Sequence, residues 1–220
     1  MYLRKVTFIL IFSIIASFSI KTIGTVFPQV FINVFVVKAT ILINAVFILS
    51  HLFFWLFFYK EYISIKKTSL KKKCVVAIIG SFAVSMIYMK KFPFVFGLQV
   101  QLPLFFLNPY YDALVPIISS VIHLIFFIAL AKNLDKNEMP RLRSPIRSII
   151  IGNSIYICLH LIVSINFIAT HRFEWIKHMS RVVAVATVPV ILSAVLFMLY
   201  FYYQFYRFLD SRETIERVPP

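Results

Sequence analysis

Long apolar runs, separated only by short polar stretches, constrain the fold of this chain more than any other feature. A hydrocarbon core about 30 Å thick is crossed by about 20 apolar helical residues, whose backbone groups must be hydrogen-bonded within the helix. The sequence therefore predicts an all-α fold, a polytopic integral membrane bundle that forms a single domain over residues 1–220. Its six transmembrane helices are predicted at residues 6–27, 39–59, 74–89, 113–131, 149–170 and 182–203.

The composition supports this class and excludes several others. Hydrophobic residues make up 61% of the chain and charged residues 14%, whereas soluble domains contain about 45–50% apolar and about 25% charged residues. A soluble domain of this size buries only about 70% of its chain surface and could not hide so much apolar material. The net charge of +15 is the only feature that would favour nucleic-acid binding, so no nucleic-acid partner is expected.

The distribution of the 23 Lys and Arg residues predicts the orientation. The N-terminus, the 60–73 and 132–148 loops and the C-terminal tail carry 16 of them, and the opposite side carries 7. Because cytoplasmic flanks are enriched in cations, both termini are expected in the cytoplasm. The basic stretch 66–73 is expected to contact membrane lipids at the inner leaflet. Frequent Lys, Ile and Phe favour a bacterial cytoplasmic (inner) membrane.

One apolar stretch on the outer side, residues 92–111, does not fit a plain span. It contains Pro93, Pro103 and Pro109, and proline blocks the interior of a helix. The stretch is therefore predicted to be a broken segment. Either it is re-entrant and lines a binding site, or it is an amphipathic loop that lies among the headgroups.

Polar side chains recur at helical spacing inside most spans. Because such groups are costly in lipid, they are expected to face the bundle interior. Contacts between small polar residues of neighbouring helices are their ordinary explanation. We predict a polar cavity formed by Asn44, Ser120, Asn153 and Tyr156. In the sixth span the aligned residues are Pro189, Ser193, Tyr200 and Gln204.

Three histidines lie within the predicted spans. His51 and His123 each precede a flanking lysine by nine residues, which places both about 13 Å from the cytoplasmic boundary. His160 lies deeper, about 20 Å from the preceding arginine. One interpretation is a set of neutral imidazoles hydrogen-bonded between helices. Another is haem b ligated by His51 and His123, or by one of them with His160. A third is a proton or metal path through these residues.

A further cluster is predicted outside the membrane. On a helix, His171, Glu174 and His178 would share one face, and two imidazoles with a carboxylate can bind Zn²⁺. The neighbouring cations Arg172 and Lys177 disfavour a cation site. They favour an interfacial helix that touches lipid phosphates.

Aromatic residues are concentrated where two spans leave the membrane. Phe57, Phe58 and Tyr59 end the second span, and residues 200–206 contain four tyrosines. Such rings are typical of the headgroup level, so interface belts are predicted there. The C-terminal tail that follows is predicted to be either a frayed terminus or a helix that docks on a partner.

The sequence contains no HExxH, GxSxG, P-loop or GxGxxG motif, and no predicted span has Asp or Glu at its centre. These observations disfavour an enzyme. The first functional hypothesis is a non-catalytic subunit or small-molecule-binding membrane domain of a larger transport, sensing or respiratory assembly. It would act with another membrane or cytoplasmic protein subunit. The alternatives are a b-type cytochrome subunit and a metal-dependent intramembrane hydrolase.

Overall fold

The computed structural model describes residues 2–26, 34–89, 109–134, 139–172 and 177–217, and in these ranges the only regular structure is helical. A short 3-10 helix, Ile63–Ile65, joins the second and third α-helices. The α-helices are α1 (Tyr2–Val26), α2 (Val34–Glu61), α3 (Thr68–Met89), α4 (Pro109–Lys132), α5 (Met139–Arg172) and α6 (Lys177–Arg217).

The outer surface of these helices is apolar, as a membrane protein requires. Phe12, Ile79, Phe82 and Leu196 are each more than half exposed. Monomeric soluble proteins rarely expose large apolar patches. Within the described residues, four helices, α1, α2, α4 and α6, contain stretches long and apolar enough to cross a membrane. In α3 only the 16 residues 74–89 follow the lysine run. The all-helical membrane bundle predicted from the sequence is confirmed.

The six helices form a closed antiparallel ring. In the α1–α2 pair Leu3 bonds to Glu61 and Ser13 bonds to Ser50, so residue numbers rise along one helix as they fall along the other. Each helix packs against its neighbours in sequence, and α6 packs back against α1. Four of the five connections between these helices have seven residues or fewer, which favours this up-and-down order.

One end of the ring, where α1, α3 and α5 begin and α2, α4 and α6 end, is called the basic end. The carboxylate Oε1 of Glu61 accepts a 3.2 Å hydrogen bond from the backbone N–H of Leu3. The first N–H groups of a helix lack intrahelical partners, so this carboxylate stabilises the start of α1. Arg4 forms a 2.7 Å ion pair with Asp210 of α6. Exposed cations at this end are Lys5, Lys60, Lys67, Lys72, Lys73, Lys132, Arg141, Arg143, Arg147 and Arg207.

Buried aromatic rings fill the bundle near the basic end, and we call them the aromatic core. Phe58 of α2 is fully buried, with ring centroids of Phe54 and Phe205 each 5.4 Å away. Such offset and edge-to-face pairs stabilise packing beyond the area they bury. The members of the aromatic core are Phe54, Trp55, Phe58, Tyr62, Phe126, Phe127, Phe201, Tyr202, Phe205 and Phe208. The predicted interface belts are therefore only partly right, since Phe58 and Tyr202 are core residues.

The helices extend beyond the predicted spans, mostly at the basic end. Helix α3 begins at Thr68, six residues early, and α5 begins at Met139, ten residues early. Helix α6 continues to Arg217, and Phe208 and Leu209 pack one face of this extension against the same chain. Hydropathy marks only the lipid-facing part of a helix, whereas Lys, Arg and Glu also favour helix in water.

The predicted broken segment, 92–111, falls mostly outside the described residues. Its last three residues belong to α4, which begins at Pro109. Proline suits the first turn of a helix, where its missing N–H leaves no hydrogen bond unmade.

Candidate functional site

A cavity of about 180 Å³ lies inside the ring. All six helices contribute to its wall, and among the described residues that line it there is no Asp, Glu, Lys or Arg. Trp55, Phe127 and Tyr202 separate it from the rest of the aromatic core, which lies toward the basic end. The polar lining residues are Ser17, His51, Ser81, Ser119, Ser120, His123, Asn153, Tyr156 and Tyr202.

His123 of α4 ties α4 to α3. Its Nε2 lies 2.9 Å from Oγ of Ser81 and 3.2 Å from the carbonyl oxygen of Ala77. A carbonyl oxygen can only accept, so we assign the proton to Nε2 and treat the imidazole as neutral. Nδ1 then accepts, and Oγ of Ser119 lies 3.5 Å from it. The bonds to Ala77 and Ser81 fix the ring in a wall of the cavity.

His51 of α2 lies beside His123 and is held by the indole of Trp55. Nε1 of Trp55 donates to Nε2 of His51 at 3.2 Å. Because the indole N–H is only a donor, Nε2 of His51 must be the acceptor, so the proton of a neutral ring is on Nδ1. This Nδ1–H has no partner among the described residues. The Trp55 indole also stacks on His123, with centroids 4.6 Å apart and planes 21° apart.

The four residues of the predicted polar cavity lie close together. Ser120, Asn153 and Tyr156 line the wall, and Asn44 accepts a hydrogen bond from Ser17, which also lines it. Asn153 is only 8% exposed, yet its side chain makes no hydrogen bond to a described residue. The amide keeps a little surface in the cavity, since its atoms are not among the fully buried unpartnered side-chain atoms of the described residues, and an amide on a largely apolar wall gains hydrogen bonds from a polar guest. It is therefore the strongest indication that the cavity takes a polar guest.

The described geometry does not fit haem ligation by the two histidines. Their ring centroids are 5.2 Å apart at an interplanar angle of 79°, so the rings meet edge to face. A bis-imidazole site needs an open plane between the two rings for the macrocycle. Here Trp55 covers one face of His123, and Nε2 of that ring is engaged by Ala77 and Ser81. The side chain of the third candidate, His160, lies outside the described residues.

The predicted outer metal site also falls outside what the structure describes. The side chains of its three members, His171, Glu174 and His178, are not among those described. Within the described residues no group of three or more His, Cys, Asp or Glu side chains is close enough to hold a metal ion.

The Ser81–His123 contact could suggest a nucleophile and its base, but its geometry indicates a structural role. Nε2 of His123 carries the proton that bonds to Ala77, so it cannot accept the proton of Ser81 in the same state. Nδ1 faces the hydroxyl of Ser119 and not a carboxylate that would orient the ring. The arrangement can hold a neutral guest, but it does not assemble an activated nucleophile.

One predicted stripe points away from the cavity. On α6, Pro189 and Tyr200 are exposed, and Oγ of Ser193 donates to the carbonyl of Val190 on its own helix. The wall from α6 consists instead of Ile191, Val195, Met198 and Tyr202. The sequence prediction missed these residues and the other aromatic wall residues, Phe18, Phe47, Trp55 and Phe127.

Comparison with protein-family models, with curated proteins and with solved structures finds no match to this chain. The function is therefore inferred from the residues of the cavity.

Proposed function

We propose that this chain is a non-catalytic, small-molecule-binding membrane domain that holds an uncharged guest in its central cavity. The observation that carries the proposal is Asn153, a largely buried residue whose amide has no hydrogen-bond partner among the described residues and lies in a wall where no described residue is Asp, Glu, Lys or Arg. Ligand sites are typically apolar cavities with a few convergent polar groups. This cavity has that composition.

The proposal includes a second protein. A domain that binds without reacting needs a partner that converts occupancy into transport, a signal or electron flow. We therefore place the chain as a subunit of a larger assembly in a membrane, with the cations of the basic end facing the cytoplasm and its anionic lipids.

Thermal stabilisation by small uncharged compounds tests the binding function. Toluene, cyclohexanone and 4-hydroxybenzamide would be added separately to the full chain in phospholipid nanodiscs. At about 100 times its Kd, a bound compound stabilises the folded state by about 2.7 kcal/mol, which raises Tm by several degrees. We expect at least one compound to do so.

A matched pair of variants locates the binding. Ser120→Phe places a ring in the cavity and is expected to abolish the stabilisation. Ser193→Phe places the same ring on α6 outside the cavity and is expected to leave it unchanged. Equal stabilisation of the two variants, or no response to any of the compounds, would contradict the proposed function.

A further inference from the structure

The cavity also restricts the chemistry of its guest, an inference that rests on the proposed function. Its volume is about 180 Å³. An engineered apolar cavity of about 150 Å³ binds benzene. By this comparison the cavity fits one six-membered ring with one or two small substituents. The ring of Phe47 is partly exposed and can pack against an aromatic guest, whereas Trp55 and Phe127 are almost fully buried.

Two residues of the cavity wall have hydrogen-bonding groups that no described residue uses. Nδ1–H of His51 is a donor without a described partner, because Nε2 already accepts from Trp55. Asn153 offers an amide that both donates and accepts. His51 is on α2 and Asn153 is on α5, helices three places apart in the ring of six. A guest that satisfies both groups needs hydrogen-bonding substituents on opposite edges.

A guest in the membrane can dissolve in lipid instead of binding in the cavity. The cavity therefore selects guests that are more stable in it than in lipid. Hydrocarbon tails are as apolar as the cavity wall, so an apolar ring gains little on moving between them. A carbonyl or hydroxyl group lacks hydrogen bonds in the hydrocarbon but finds them in the cavity. A charged substituent would have no counter-ion among the lining residues that the structure describes.

We propose that the cavity selects an uncharged single-ring aromatic molecule with hydrogen-bonding substituents on opposite edges. One substituent accepts from Nδ1–H of His51, and the other pairs with the amide of Asn153. Para-substituted hydroxybenzamides and the head groups of simple quinols have this chemistry.

Binding measured with three probes tests the selectivity. The probes are 4-hydroxybenzamide, toluene and benzoate, titrated below pH 7 into the full chain in nanodiscs. Trp55 lies in the wall, and Trp175 is the second tryptophan of the chain. A Trp175→Phe background therefore makes Trp55 fluorescence the reporter. We expect 4-hydroxybenzamide to bind at least ten-fold more tightly than toluene or benzoate.

Variants at the two polar groups complete the test. Asn153→Leu and His51→Phe are each expected to weaken 4-hydroxybenzamide binding by about five- to ten-fold. Ser193→Ala on α6 is the control and is expected to leave the Kd unchanged. Equal affinity for all three probes, or an unchanged Kd in Asn153→Leu, would overturn the selectivity while leaving the binding function intact. If neither these probes nor cyclohexanone binds, the proposed function itself fails.

Discussion

Gly152→Leu is expected to prevent stable folding, because α5 and α6 have no space for a side chain at this position. A Cβ at residue 152 would lie 2.9 Å from the carbonyl oxygen of Ala194 and 3.1 Å from Cβ of Phe197. The backbone oxygen cannot rotate away, so α5 and α6 would have to separate. Overpacking of this kind destabilises by about 1–3 kcal/mol for a methyl group, and a leucine adds three further carbons. Unfolding in a denaturing detergent, followed by circular dichroism, measures the loss.

Gly80 provides the matched control for this prediction. A Cβ there would lie 3.1 Å from Oγ of Ser119, a side-chain atom that can move. Alanine also favours the helix over glycine by about 1 kcal/mol. Gly80→Ala is therefore expected to be close to neutral, whereas Gly152→Ala is expected to be destabilised. A Gly152→Leu protein as stable as the parent would show that the α5–α6 interface differs from the one described.

Phe58→Ala is expected to destabilise the protein by about 3 kcal/mol, the lower end of the range for a buried phenylalanine. Phe58 is fully buried and stacks on Tyr62 with ring centroids 5.2 Å apart. In a membrane, transfer from water contributes little, because lipid is also apolar. The loss comes from the packing contacts that the rings around it no longer make.

Phe53→Ala on the same helix removes an identical side chain from an exposed position, so it is the control for the packing contribution of Phe58. Phe53 is 47% exposed on the outer surface, where lipid replaces the lost contacts. The free energy of unfolding of the Phe53→Ala protein is expected to differ from that of the parent by less than about 0.5 kcal/mol. Comparable losses for Phe53→Ala and Phe58→Ala would mean that the aromatic core does not hold α2, α4 and α6 together.

The sequence predicts the inward faces of several helices because polar groups in lipid are costly. The sequence predicts Ser120 and Asn153 in a polar cavity and His51 inside a span, and the structure brings all three to one cavity. The interpretation depends on a strong contrast between a polar group and hydrocarbon. Asn153 fits this interpretation, because its side chain makes no hydrogen bond to a described residue of its own helix.

The same interpretation fails on α6 for a physical reason. The hydroxyl of Ser193 donates to the carbonyl of Val190 on its own helix, so it keeps a hydrogen bond even when it faces lipid. Its position in the sequence therefore does not indicate which face of α6 points inward. The true wall residues, such as Val195 and Met198, are apolar. Hydropathy cannot distinguish them from lipid-facing residues, because both environments are apolar.

The aromatic residues show a similar limit. Phe58 and Tyr202 lie near predicted membrane boundaries, where rings are often interfacial, but the structure buries both in the aromatic core. Their burial depends on the convergence of α2, α4 and α6, which spacing within one helix does not reveal. The contacts of Trp55 with His51 and His123 depend on the same convergence.

Methionine methyl resonances test directly whether an uncharged guest occupies the cavity between the six helices. Met198 lines the cavity, whereas Met86 on α3 is 43% exposed on the outer surface. The six methionines would be labelled at the methyl carbon, and 4-hydroxybenzamide and cyclohexanone would be titrated in turn. We expect a saturable shift of the Met198 methyl and contacts from it to the guest, with Met86 unchanged. A response at Met86 without one at Met198 would show that the compounds partition into lipid and leave the cavity empty.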